Sequence, residues 1–231
     1  MASTRSSKRK LVNGSIVSMS KMDFEIARSV YNQINVSGLT DEEVSFLLGK
    51  RNTYVFGLLD PTEKDKFKTE QLDILPTILG VGIRKLIPND IKSDENITIK
   101  GVKKISDKKV VYEFVVDGGA DKGIFTKKII SGERKQINPR VHELMLKLIN
   151  EGYFLEPKNA LELFLQHKVE LKMAFTPADL QKSIAVCCRK QGKELPLLNR
   201  GIENTRYVYF QYETINSSHI AHVVRLDTLL R

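Results

Sequence analysis

The chain has 231 residues, 41% of them hydrophobic, and carries 37 basic against 28 acidic side chains for a formal net charge of +9. That length suits two small domains or one large one, and the surplus positive charge favours a polyanionic partner, nucleic acid before an anionic membrane face. No stretch approaches the roughly 20 apolar residues of a spanning helix, so no membrane partner is expected.

Residues 1–21 read as a basic flexible arm: Arg5, Lys8, Arg9, Lys10 and Lys21 occur with no acid among them. Little apolar surface is available there to offset the entropy of ordering, and the apolar run from Leu11 to Val17 is too broken for a secretory segment. From Phe24 the period turns helical, with Ile26, Ala27, Val30, Tyr31 and Ile34 on one face. Thr40-Asp41-Glu42-Glu43 has the pattern of a capping box that opens a second helix, which Gly49 ends. A third helix is expected from Arg51 to Leu59, stopped by Asp60-Pro61, and a further one from Glu70 to Leu79.

Residues 82–95, with Pro88, Asn89 and Asp90, read as a linker. Strands are expected at Asn96–Ile105, Val110–Val116 and Gly123–Ile130, joined as an antiparallel meander over 96–137 with Lys103, Lys104, Lys108, Lys109, Lys127 and Lys128 outward. Helices follow at Pro139–Gly152, at Pro157–Gln166 and from Thr176-Pro177 to about Gly192, then a polar loop and a strand over Tyr207–Tyr212. The expected class is α+β, mainly α: a four- or five-helix domain at 22–81, the meander, and a helical, winged-helix-like domain at 138–231. Cys187 and Cys188 are adjacent, which rarely permits a mutual bridge without strain; two reduced thiols in a cytoplasmic protein are expected.

The run from Leu39 through Thr40, Ser45, Gly49, Lys50, Arg51, Asn52, Thr53 and Tyr54 to Val55 resembles the Cro and phage-repressor (Xre-type) helix-turn-helix family over about residues 22–80. In that family Ser45 marks the small residue that lets two helices approach, and Gly49 the left-handed turn. The resemblance implies a bacterial, cytoplasmic transcription regulator that binds double-stranded DNA through the major groove as a repressor-like homodimer. It places base readers at Asn52 and Thr53, with Lys50, Arg51 and Tyr54 beside them and Thr40 near a phosphate. Asp41, Gly57 and Leu59 depart from the family pattern, since Asp41 would repel phosphate and Gly57 has no side chain to read a base.

A second nucleic-acid contact is expected around Lys182, Arg189, Lys190, Lys193, Arg200 and Arg206, where a helix, a loop and a strand follow one another in winged-helix order. The alternative is a protein-interaction module, antitoxin-like or an immunity adaptor, that uses the same helices on a protein partner. No catalytic residue, metal or cofactor is expected: His142, His167, His219 and His222 lack accompanying ligands, and no phosphate-cradling glycine loop occurs.

Overall fold

The computed structural model describes residues 10–61, 63–89, 95–106, 109–116, 121–128, 136–189 and 195–211. The protein is α+β and divides into two compact units, Met1–Val44 with Asn52–Arg134 and Ser45–Arg51 with Lys135–Arg231.

In the first unit, strand β1 (Lys10–Ser20) leads into α1 (Lys21–Ser37). The α2 helix (Asp41–Leu47) begins in this unit, which continues with α3 (Tyr54–Leu59), α4 (Thr69–Leu72) and α5 (Leu75–Leu79). Strands β2 (Asn96–Ser106), β3 (Lys109–Val116) and β4 (Asp121–Lys128) close it. The four strands form one antiparallel sheet in the order β1-β2-β3-β4, with β1 aligned so that Met19 faces Ile97.

The expected flexible arm therefore contributes a strand from Lys10 onward. The reason lies far off in sequence: β2 offers an open edge, and Met19 gains a buried position beside Ile97, Ile99, Tyr112, Phe114 and Val116. Phe24 of α1 enters the same core, edge-on to Phe114 at 5.3 Å between ring centroids. Consequently the N-terminal helix and the meander, expected as separate domains at 22–81 and 96–137, share one core. Gly123 stands opposite Phe114 in the register, where the ring covers the place a Cβ would occupy.

Local signals hold at several helix ends. The Thr40 hydroxyl accepts from the Glu43 amide at 3.2 Å while the Glu43 carboxylate accepts from the Thr40 amide at 2.9 Å. The third helix starts at Tyr54 rather than Arg51, because residues 52 and 53 are a turn. The expected helix at Glu70–Leu79 is two short ones, interrupted after Leu72; Pro76, which lacks an amide donor, sits in the first turn of α5. Residues 82–95 are not a plain linker in their first half: Ile83–Lys85 make a 3-10 turn and Leu86 is fully buried. The side chains of Lys103, Lys104, Lys109, Lys127 and Lys128, and the whole of Lys108, lie outside the described residues.

The second unit contains α6 (Pro139–Asn150), β5 (Lys158–Asn159), α7 (Ala160–Leu171) and α8 (Pro177–Cys187), then β6 (Asn199–Glu203) and β7 (Arg206–Phe210). Its sheet has the order β5-β7-β6. Each helix opens on a side-chain cap: Asn138 for α6, Asn159 with Glu162 for α7, and Thr176 with Asp179 for α8. Val141, Met145, Leu163, Leu180, Ile184 and Leu198 are buried between these elements, consistent with the 3.6-residue spacing of each helix. The polar stretch before Tyr207 is itself strand β6, stabilised by pairing with β7 rather than by its own composition.

Candidate nucleic-acid interface

The second unit gathers most of the residues singled out for nucleic-acid contact. Helix α8 buries Pro177, Leu180, Ser183, Ile184 and Cys187. The positions between them are Ala178, Asp179, Gln181, Lys182, Ala185 and Val186; Ala185 is exposed and the other five are half-buried. Exposed Arg189 follows one turn later. Of these positions the sequence singles out Lys182 by its charge; Gln181 and the two alanines are set on the solvent side only by their periodic placement between buried positions. The start of α8 is fixed by the Thr176 hydroxyl, which accepts from the Asp179 amide at 3.2 Å, and by the Asp179 carboxylate, which accepts from the Thr176 amide at 2.9 Å.

After α8 the chain enters β6, with the Leu198 amide donating to the Cys187 carbonyl at 3.1 Å. The β6–β7 hairpin turns on Asn204 and Thr205, both with positive φ, 47° and 65°. Such a pair defines the tight two-residue turn that suits a twisted hairpin, but a β-branched residue seldom adopts it. Arg200 places its guanidinium 4.7 Å from the centroid of the Tyr207 ring. Arg206 is half-buried on β7, and Glu203 stands opposite it in the register. Lys190 and Lys193 lie outside the described residues.

The segment Ser45–Arg51 belongs to this second unit. Gly49 has φ +68°, the left-handed conformation expected of it, and its carbonyl accepts from the Tyr207 amide at 2.7 Å. A Cβ at Gly49 would stand 3.0 Å from the Cβ of Arg206 and 3.2 Å from the Tyr207 nitrogen. The Lys50 ammonium donates to the Thr205 hydroxyl at 2.8 Å and to the Thr205 carbonyl. Arg51 follows, exposed. Sequence reasoning assigned Lys50 and Arg206 to two different contacts; the structure brings both to the same hairpin.

No family of known proteins matches the chain, nor does any curated protein or solved structure.

The remaining expected readers lie in the first unit. Asn52 and Thr53 are exposed in the turn before α3, and Tyr54 begins that helix, half-buried. Burial raises the pKa of the Tyr54 hydroxyl, and the carboxylates of Glu70 and Asp65 raise it further. Acids beside the start of α3 disfavour a phosphate there. Thr40 spends its hydroxyl and amide on the capping box with Glu43. Gly57 has open space around its Cβ position and Leu59 is buried.

Two histidines are internal to the second unit. His167 is fully buried, with Nδ1 2.8 Å from the Leu163 carbonyl, and burial lowers its pKa. His142 Nδ1 lies 2.9 Å from the Ser183 hydroxyl. Among the described residues no group of three metal-ligating side chains occurs, and His219 and His222 lie outside them. No described helix is long and apolar enough to cross a membrane.

Proposed function

We propose that the protein is a sequence-specific double-stranded DNA-binding regulator whose second unit is a winged-helix module with α8 in the major groove. One observation carries the reading: α6, β5, α7, α8, β6 and β7 follow in that order, and β7 lies between β5 and β6 in the sheet. That connectivity places a hairpin after a capped helix, the helix-then-wing arrangement of DNA readers. The solvent side of α8 suits the groove. Ala178 and Ala185 are small, Gln181 has the amide that pairs in bidentate fashion with adenine, and Lys182 and Arg189 add positive charge. The helix-turn-helix resemblance at 22–80 supports the same class of function, although its proposed reader is less well placed. Lys50 is engaged with Thr205, and α3 is a six-residue helix with acids near its start.

The test begins by selecting bound duplexes from a random pool and comparing the selected sequence with a random duplex by fluorescence anisotropy. The intact chain should prefer the selected duplex. Gln181→Ala combined with Lys182→Ala should remove most of that preference, each lost pair costing about 1–3 kcal/mol of discrimination. Equal affinity of the unaltered protein for both duplexes would end the claim of sequence specificity.

A second reading, in which the helices bind a protein, is favoured by Leu165 and Val169. They stand one turn apart on α7 and are 41% and 69% exposed. Leu165→Ser with Val169→Ser would then abolish a complex or dimer seen by light scattering while DNA binding persists.

A further inference from the structure

Lysines on strands commonly guard a sheet edge, but the strand order rules that role out for several in the first unit. In the order β1-β2-β3-β4 the strands β2 and β3 are interior, so Lys100, Lys104 and Lys109 have no edge to guard. Alternation sorts each strand between two faces. Met19, Ile97, Ile99, Tyr112, Phe114 and Val116 take the face that meets Phe24 of α1, and all are buried. The other face is open at its described positions: Ile16, Ser18, Thr98 and Lys100 are exposed, and Val111, Glu113 and Val115 are half-buried. The register assigns further lysines to this open face. Lys100 and Lys122 both stand opposite Val115, Lys104 stands opposite Val111, and Lys109 stands opposite Lys128. Lys103 and Lys127, opposite Tyr112 and Val110, fall on the helix-side face instead. We propose that the open face of this sheet, through Lys100, Lys104, Lys109, Lys122 and Lys128, docks on the phosphate backbone of duplex DNA without reading its sequence.

Charge complementarity selects the occupant. Five lysines share the open positions of β2, β3 and β4 with one acid, Glu113. Like charges directly opposite one another destabilise a sheet, as at Lys109 and Lys128, and an anion laid across them relieves that repulsion. A second copy of the chain would set these lysines against their own kind. The same positions of β2, β3 and β4 hold no aromatic residue, so no ring is offered to stack an unpaired base. That leaves phosphate as the group recognised. The row of Lys100 and the row of Lys109 lie six residues apart along the strands, about 20 Å at 3.3 Å per residue. Duplex DNA carries one charge per roughly 1.7 Å of axis, so this length presents about twelve phosphates to the five lysines. Such contacts position a protein on DNA and carry no sequence information. The inference rests on DNA as the partner, goes beyond the α8 reading, and assigns a contact to the other unit.

Matched lysines on the two faces of the same strands test it. Affinity for the random and the selected duplex is measured over a series of salt concentrations. The proteins are the full chain, Lys104→Gln/Lys109→Gln on the open face, Lys103→Gln/Lys127→Gln on the helix-side face, and Gln181→Ala/Lys182→Ala. The open-face pair should weaken both duplexes by one factor and reduce the slope of log affinity against log salt by about 1.8, or about 0.9 per lysine. The helix-side pair should leave the slope unchanged. Equal slope changes in the two lysine pairs would overturn the docking face in favour of diffuse charge, and an unchanged slope in the open-face pair would overturn it outright. Loss of preference for the selected duplex in the open-face pair would overturn it in favour of base reading. Tighter binding of the full chain to a single strand of equal length, or to vesicles of anionic lipid, would overturn the choice of duplex. If the α8 variant keeps its preference while the open-face pair shows the slope change, the α8 reading fails and the docking face stands. Absence of duplex binding by the unaltered chain overturns both.

Discussion

Replacing Gly49 by alanine isolates how closely the 45–51 segment approaches the hairpin, because Gly38 provides a matched control. Both glycines are left-handed, at φ +68° and +73°, but a Cβ at Gly38 meets nothing within 4 Å. The conformational penalty of an alanine in that region is about 1–2 kcal/mol, offset by about 0.4–1 kcal/mol of lost freedom in the unfolded chain. Gly38→Ala should therefore cost at most about 1.5 kcal/mol. At Gly49 the same penalty applies, and the new Cβ must also push away Arg206 and the Tyr207 backbone. Lengthening the Tyr207–Gly49 hydrogen bond leaves polar groups poorly satisfied, worth about 1–3 kcal/mol. The difference between the two variants should be about 2 kcal/mol, or roughly 4–8 °C in midpoint for a chain of this size. Thermal unfolding followed by far-ultraviolet circular dichroism reads it. Faster hydrogen exchange at the Tyr207 amide in Gly49→Ala alone would accompany it. Equal destabilisation by the two substitutions would refute the close approach, and with it the physical basis for treating the segment as part of the hairpin.

Thr176→Ala removes the hydroxyl that accepts from the Asp179 amide and should cost about 1 kcal/mol, read as a fall in urea midpoint at unchanged slope. Tyr112→Phe deletes the hydroxyl that donates to the buried Asp60 carboxylate; a loss of about 1–3 kcal/mol is expected in urea unfolding, and an unchanged midpoint would mean the bond has no net value. Alkali should weaken the second unit. Burial raises the Cys187 thiol from 9.0 to about 11 and the Tyr209 hydroxyl from 10.0 to about 12. The unfolded chain then loses these protons first, so stability present below about pH 9 falls as pH rises toward 11 and 12. A Cys187→Ala variant should show a shallower decline of unfolding midpoint between pH 9 and 11, and an identical decline would remove the thiol as its cause.

Short-range chemistry was legible in the residues. The Thr40–Glu43 box, the Thr176 cap, the left-handed Gly49 and the buried stripe of α1 each depend on partners within about a turn of helix, so residue type and spacing suffice to specify them. Strand β1 was not legible, because its broken apolar run reads as disorder until β2 supplies an edge some 80 positions later. Strands β5 and β6 were hidden for the same reason: two and five residues carry almost no pattern of their own, and pairing with β7 creates them. The candidate interface divides along the same line. The sequence by itself determined that Lys50, Arg51, Arg200 and Arg206 are cations near turns. Only the tertiary structure decided that Lys50 is bound to Thr205 and shares a hairpin with Arg206, because a contact spanning 155 positions leaves no local periodicity to read.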